Sequence, residues 1–192
     1  KQTCGQYCLN WPLRMDKEGF IQYTNETPLV RTVTNKYLFP NGNNVMVAIA
    51  CYTGFNQEDS LIINKASVER GLFDGSKFVY YKHEFEQKEE LGNPDASKTD
   101  GLKSANYEKL VDGVVQRGQR IEQYDVLNGC YMLLPKGKND KYSYRDRSLV
   151  YKKKEPAIVH SVIRGHNEDG IFFVKVCLRR IRTVAVGDKF SS

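Results

Sequence analysis

The sequence predicts a mainly β chain with few short helices, and three observations carry that expectation. Its 12 Tyr and 9 Phe favour strands over helices. Ile171 to Arg182 alternates: Phe172, Val174, Val176 and Leu178 fall on one face, and Phe173, Lys175, Cys177 and Arg179 on the other. The first face reads as core and the second presents cations. Val45 to Tyr52 is an unbroken apolar run between the turn signals Pro40–Asn44 and Gly54, which predicts a strand buried on both faces.

The remaining elements follow in chain order. Lys1 to Leu13 lacks helical periodicity, and Trp11-Pro12 marks an irregular connection. Phe20–Tyr23 and Leu29–Val33 are short β-like runs, with Pro28 confining that region to an edge or loop. After the run ending at Tyr52, Leu61-Ile62-Ile63 returns to apolar character and predicts a second buried strand. Asn64 caps one or two helical turns over Lys65–Arg70, Gly71 ends them, and Leu72 and Phe73 pack back on the core. Lys77–Phe85 reads as an exposed strand. Gln87–Lys109 is polar and charged, which predicts a loop or lid-like excursion. Val111–Val115 is a turn running into a strand, and Pro135–Arg147 is a surface loop. Ala157–Val162 is a strand, joined to the alternating segment by the turn Asn167-Glu168-Asp169-Gly170. No internal repeat is evident.

At 192 residues the chain makes one or two domains, and its 40% hydrophobic content supports a real core. It begins at Lys1 without Met and stops just after a motif, which predicts a piece of a longer chain. No apolar run approaches the roughly 18 residues of a membrane-spanning helix. The net charge of +6 is uneven. Residues 1–75 are balanced, whereas residues 152–192 carry 9 basic and 4 acidic side chains. That field attracts polyanions; a solvated basic face is the competing reading. Cys4, Cys8, Cys51, Cys130 and Cys177 read as reduced thiols, with Cys51 and Cys177 in core strands. Cys4-x3-Cys8 has neither a second pair nor a nearby His to complete a zinc site, so no zinc is expected.

The chemistry centres on Glu58-Asp59, two carboxylates between apolar runs. Acids squeezed between two buried strands hold a fixed position, which suits metal or phosphate chemistry. A solvated turn is the plain alternative.

Cys51 to Phe73, CYTGFNQEDSLIINKASVERGLF, resembles the second-largest subunit of multisubunit DNA-directed RNA polymerases of the eukaryotic or large-DNA-virus type. Lys1-Gln2-Thr3-Cys4-Gly5 resembles the family's GKQ-x-x-G segment, and Leu13-Arg14-Met15-Asp16 follows at the matching distance. Phe173–Val176 and Gly187-Asp188-Lys189-Phe190 resemble the strand and turn that carry a nucleic-acid-contacting lysine. Val114–Gly118 and Ile121–Leu127 are similar to GxxVxxGxxIxxxDVL, which lays short strands around a small barrel-like module.

The resemblance implies an incomplete hybrid-binding β-barrel domain with a β-rich wall, or flap, inserted into it. Residues 1–75 would begin the hybrid-binding domain, 76–182 would form the wall, and 183–192 would start the second part. It implies that Glu58 and Asp59 lie near the second magnesium ion and the nucleotide triphosphate, binding the metal directly or through water. Lys189 would contact the RNA backbone, as would Gln2 and Lys1 in the KQ segment. The aspartates holding the first magnesium belong to the largest subunit, so this chain alone would be inactive. Implied partners are that subunit and other polymerase subunits, the DNA template, the RNA transcript and ribonucleoside triphosphates, with no membrane. The implied location is the nucleus, or a cytoplasmic virus factory or virion for a viral chain. The family's RHG-x-KG continuation after Gly187-Asp188-Lys189 is not in this sequence. Two rival readings are a non-catalytic β-barrel nucleic-acid-binding module and a two-carboxylate hydrolase. Adjacent acids disfavour both: a polyanion groove repels them, and hydrolase carboxylates face each other across a substrate.

Overall fold

Alternating apolar positions become strands wherever a partner strand covers them, and the described residues hold eleven strands and one short helix. They are β1 (Glu18–Gln22), α1 (Lys65–Glu69), β2 (Gly75–Glu84), β3 (Glu89–Leu91), β4 (Thr99–Asp100), β5 (Arg120–Ile121) and β6 (Val126–Asn128). There follow β7 (Cys130–Leu133), β8 (Tyr144–Asp146), β9 (Leu149–Val150), β10 (Ala157–His166) and β11 (Phe172–Arg182). This computed structural model describes residues 16–37, 39–40, 42–135 and 143–191. The mainly β expectation holds, and no sheet among the described residues closes into a barrel. No helix among them is long and apolar enough to cross a membrane. The chain divides into two units, Lys1–Lys77 with Ile181–Ser192, and Phe78–Arg180.

The second unit holds the core. β10 and β11 pair antiparallel from Ile158↔Arg179 to His166↔Phe172, with an irregularity between Val159 and Ser161. Asn167 closes the turn between them: its Oδ1 accepts from the Asp169 and Ile171 amides at 3.0 and 2.8 Å, and Gly170 takes φ 75°. β11 lies between β2 and β10, and β5 pairs with the start of β10. A second sheet runs β3-β7-β8-β4, and β6 pairs with β9. Val174, Val176 and Leu178 are buried with Val114, Val115 and Leu127, as the alternation of β11 predicts. The opposite face is not purely cationic, since Cys177 is also buried. Lys175 and Lys82 there sit 4.7 and 5.0 Å from the ring centres of Tyr80 and Phe173.

Three expectations for this unit are corrected. Lys77–Phe85 is a strand but largely half-buried, because β11 flanks it and Phe78 and Tyr81 meet His160 and Tyr151 edge-on. Gln87–Lys109 is no free excursion: it contributes β3 and β4. Its Lys103–Lys109 end is tied down by two buried carboxylates. Asp125 accepts from Lys109 Nζ at 2.6 Å and Asn106 Nδ2 at 3.1 Å. Asp146 accepts from the Lys103 amide at 2.9 Å and from the Tyr107 hydroxyl, and burial with that carboxylate pushes the Tyr107 phenol up. Pro135–Arg147 likewise ends in β8, which pairs with β7 and β4; residues 136–142 lie outside the described set.

The first unit differs in kind. Among its described residues only Gly75 and Ser76 are buried. β1 hydrogen-bonds to β2, and a Cβ at Gly75 would overlap the Ile21 carbonyl, so the close approach requires glycine there. Asn64 caps α1 by accepting from the Ser67 amide at 3.2 Å, and Gly71 follows its end at φ 99°. Phe73 meets Phe190 at 5.0 Å between ring centres. Val45–Tyr52 and Leu61–Ile63 are not strands, contrary to expectation: Met46 and Ile49 are fully exposed, and so is most of the run. Leu29–Val33 is not a strand either, and a 3-10 turn begins at Val33. The physical reason is shared. An apolar run needs a neighbouring strand to take its backbone N–H and C=O groups, and no described strand lies beside these segments. Cys51 is therefore exposed, while Cys177 is buried in β11. Cys4 and Cys8 lie outside the described residues.

This division of burial sets an expected outcome. Leu127→Ala, at a fully buried position, should lower the unfolding free energy of the chain by ~2–5 kcal/mol. Ile49→Ala should change it by under ~0.5 kcal/mol. Urea titration followed by far-ultraviolet circular dichroism checks both; equal shifts would mean that Val45–Tyr52 is part of the core.

Candidate functional site

Glu58 and Asp59 sit on an exposed turn, and it is hydrogen bonding that shapes their surroundings rather than flanking buried strands. Asn56 is the organiser. Its Nδ2 donates to the Ala50 carbonyl at 2.6 Å, and its Oδ1 accepts from the Tyr52 amide at 3.0 Å. The Thr53 hydroxyl donates to the Tyr52 carbonyl at 2.6 Å, and the Ser60 amide donates to the Gln57 carbonyl at 3.0 Å. These bonds bracket the acidic pair on both sides.

The turn carries backbone strain. Thr53, Gly54 and Glu58 have φ of 60°, 76° and 54°. Glycine takes that region freely, whereas a β-branched Thr and a Glu each pay on the order of 1–3 kcal/mol. Strain of this kind persists where surrounding bonds over-determine the backbone, and the Asn56 clamp does so here. Both carboxylates are exposed, and neither has an ion-pair partner among the described residues. Two adjacent hard-oxygen donors, unneutralised by lysine or arginine, fit a magnesium ion that keeps most of its waters.

Lys189 sits at a second built turn. Gly187 has φ 97°, and the Asp188 amide donates to the Ala185 carbonyl at 3.1 Å. The Asp188 carboxylate accepts from the Ala185 amide at 3.0 Å and from Arg182 Nη1 at 2.9 Å, with a second bond from Nη2. That two-pronged guanidinium bond, with the Ala185 amide, holds the Asp188 carboxyl below the usual carboxylate range. The ammonium next in sequence is exposed. Asp188 thus neutralises Arg182 rather than Lys189.

Sequence reasoning missed Asn56 and Arg182. Asn56 follows Gly54-Phe55 as a turn-forming amide, a signal that was present but not used. Arg182 is the anchor of Asp188, and Arg180 pairs with Glu155 at 3.0 Å. Arg179 remains exposed. Lys1 and Gln2 lie outside the described residues.

Comparison with known proteins takes in both turns. The chain is 37% identical to DNA-directed RNA polymerase II subunit 2 of Arabidopsis thaliana and 35% identical to DNA-directed RNA polymerase II subunit RPB2 of Schizosaccharomyces pombe. It is 36% identical to DNA-directed RNA polymerase subunit 2 of Acanthamoeba polyphaga mimivirus. Each match takes in 100% of this chain but only 17% of the relative. The family model for RNA polymerase Rpb2, domain 6, matches residues 1–192. From the acidic turn to the Gly187-Asp188-Lys189 turn, then, this chain belongs to the RNA polymerase Rpb2 domain 6 family.

Proposed function

We propose that this chain is part of the second-largest subunit of a DNA-directed RNA polymerase, which makes RNA from ribonucleoside triphosphates on a DNA template. It lines the active centre opposite the largest subunit, whose aspartates hold the first magnesium. Its first unit begins the hybrid-binding domain and its second unit is the wall. The work is that of a nucleus, or of a virus factory for a viral chain. The observation that carries the reading is the acidic turn: a strained backbone, clamped by Asn56, that presents two unpaired carboxylates in a family of polymerase subunits.

Glu58 and Asp59 would hold the second magnesium directly or through its waters. Such an ion neutralises charge on the attacked phosphate and the leaving pyrophosphate. The residues themselves do something simpler. Their paired charge repels a bare triphosphate, so they admit the nucleotide only with its cation. The Asn56 clamp fixes their position before the nucleotide arrives, so little ordering is left to do at the chemical step. Lys189 offers one exposed ammonium, which suits a phosphate as a point charge without base preference. The Arg182–Asp188 pair keeps its turn in shape and keeps Asp188 from capturing it. Lys1 and Gln2 complete the proposed contacts to the transcript.

Replacing Glu58 and Asp59 together by Ala in the assembled polymerase should slow single-nucleotide addition on the order of a hundredfold. It should raise the magnesium or nucleotide concentration needed and leave template binding intact. Asn56→Ala should give a milder version of the same defect. Extension of a preformed scaffold across a magnesium titration checks this; wild-type rates in the double variant would return the pair to a solvated turn.

Lys189→Ala should shorten the lifetime of the RNA–DNA hybrid complex without sequence preference. The effect should be largest at low salt and fade at high salt, because screening weakens phosphate contacts. Dissociation half-lives across a salt series provide the measurement, and an unchanged half-life throughout would exclude a backbone contact.

A further inference from the structure

In the second unit, three strands bring unlike donors together. His83 lies near the end of β2, Glu89 opens β3 and Cys130 opens β7. The β3–β7 register pairs Glu89 with Met132 and Leu91 with Cys130, so Glu89 and Cys130 are diagonal neighbours on one face of the sheet. The short connection from β2 to β3 brings His83 back over them, with the Glu86 amide donating to Glu89 Oε2 at 3.0 Å. One imidazole nitrogen, one carboxylate oxygen and the Cys130 sulfur all lie within 4.8 Å of one another. We propose that His83, Glu89 and Cys130 form a binding site for a zinc-class divalent ion that staples β2, β3 and β7 together.

The donor set selects the ion class. A thiolate, an imidazole and a carboxylate suit zinc, whereas magnesium and calcium take oxygen ligands alone. The spacing is close to what is needed. Four-coordinate bonds of about 2.0–2.3 Å put donors roughly 3.3–3.8 Å apart, and His83 Nε2 already stands 3.8 Å from Glu89 Oε2. Three protein ligands leave a fourth position for water, and the partial exposure of His83 gives the ion a way in.

A second observation points the same way. The Asn128 side-chain amide meets His83 Nδ1 at 2.9 Å, which leaves Nε2 as the ring atom facing Glu89. Metal-bound imidazoles are held through their other nitrogen in this manner. Asn128 is fully buried, and its Oδ1 has no hydrogen-bond partner. With Nε2 on a metal, Nδ1 must carry the ring proton, and turning the amide end for end lets that orphaned oxygen accept it.

The Glu89 side chain is buried and lacks a close cationic partner among the described residues. Arg147 Nε approaches its Oε1 only to 3.8 Å. A divalent ion would displace the thiol proton and give the buried carboxylate a close partner. The proposal does not depend on the polymerase reading.

The test uses the full-length subunit, stripped of metal with a chelator and titrated with Co²⁺ and then Zn²⁺. The parent should bind one equivalent of zinc more than His83→Gln, Glu89→Gln or Cys130→Ser. In the cobalt form, the parent-minus-Cys130→Ser difference spectrum should contain sulfur-to-cobalt charge-transfer absorption. Any zinc held elsewhere cancels in these differences. Asn128→Ala, which supplies no ligand, should weaken the site about 10–100-fold. If Cys130→Ser fails to fold, His83→Gln, at a partly exposed position, decides the matter alone. Equal zinc content in the parent and every folded variant would overturn the proposal.

Discussion

The antiparallel pairing of β10 with β11 is the constraint on which the core of the second unit depends. These two strands, joined by the Asn167–Gly170 turn, bond along most of their length. Once the register is set, side chains two apart must share a face. Val174, Val176 and Leu178 therefore turn inward together, and Val159 joins them from β10. The short strands β5, β6 and β9 could not hold alone, because two or three residues cannot meet the cost of ordering their backbone. They hold because Ile121, Val126 and Leu127 cover that apolar face.

The same core explains the buried aspartates. Asp125 and Asp146 lie where short strands leave amides and loop side chains without ladder partners. A carboxylate accepts several hydrogen bonds at once, so one buried acid can order a whole loop. Asp125 takes the Glu122 amide at 2.6 Å as well as Lys109, and Asp146 takes the Ser148 amide at 2.8 Å as well as Lys103 and Tyr107. The Lys103–Lys109 end of the polar stretch Gln87–Lys109 is thereby tied to the fold, while most of its other polar residues face solvent.

The two candidate turns obey a different rule. Neither the acidic turn nor the Gly187-Asp188-Lys189 turn rests on a buried strand. Each is closed by one side chain that bonds across it, Asn56 in the first and Asp188 with Arg182 in the second. Such closure leaves the charged groups in solvent while limiting the backbone beneath them. The exposed apolar run Val45–Ile49 is consistent with this division, since few of the first unit's described residues are buried.

The sequence by itself determined the β class, the two faces of β11, the Asn167 turn, the Asn64-capped helix and the family, through local periodicity, turn chemistry and a long motif match. Those signals are short-range, and a side chain's place in a strand or cap is settled within a few residues. Only the tertiary structure decided that Val45–Tyr52 stays exposed, because burial depends on whether a partner strand arrives and composition records only the need for one. It also decided that Arg182 serves Asp188, and that His83, Glu89 and Cys130 converge from three strands. Such meetings are created by strand register and hairpin return. No spacing along the chain announces them.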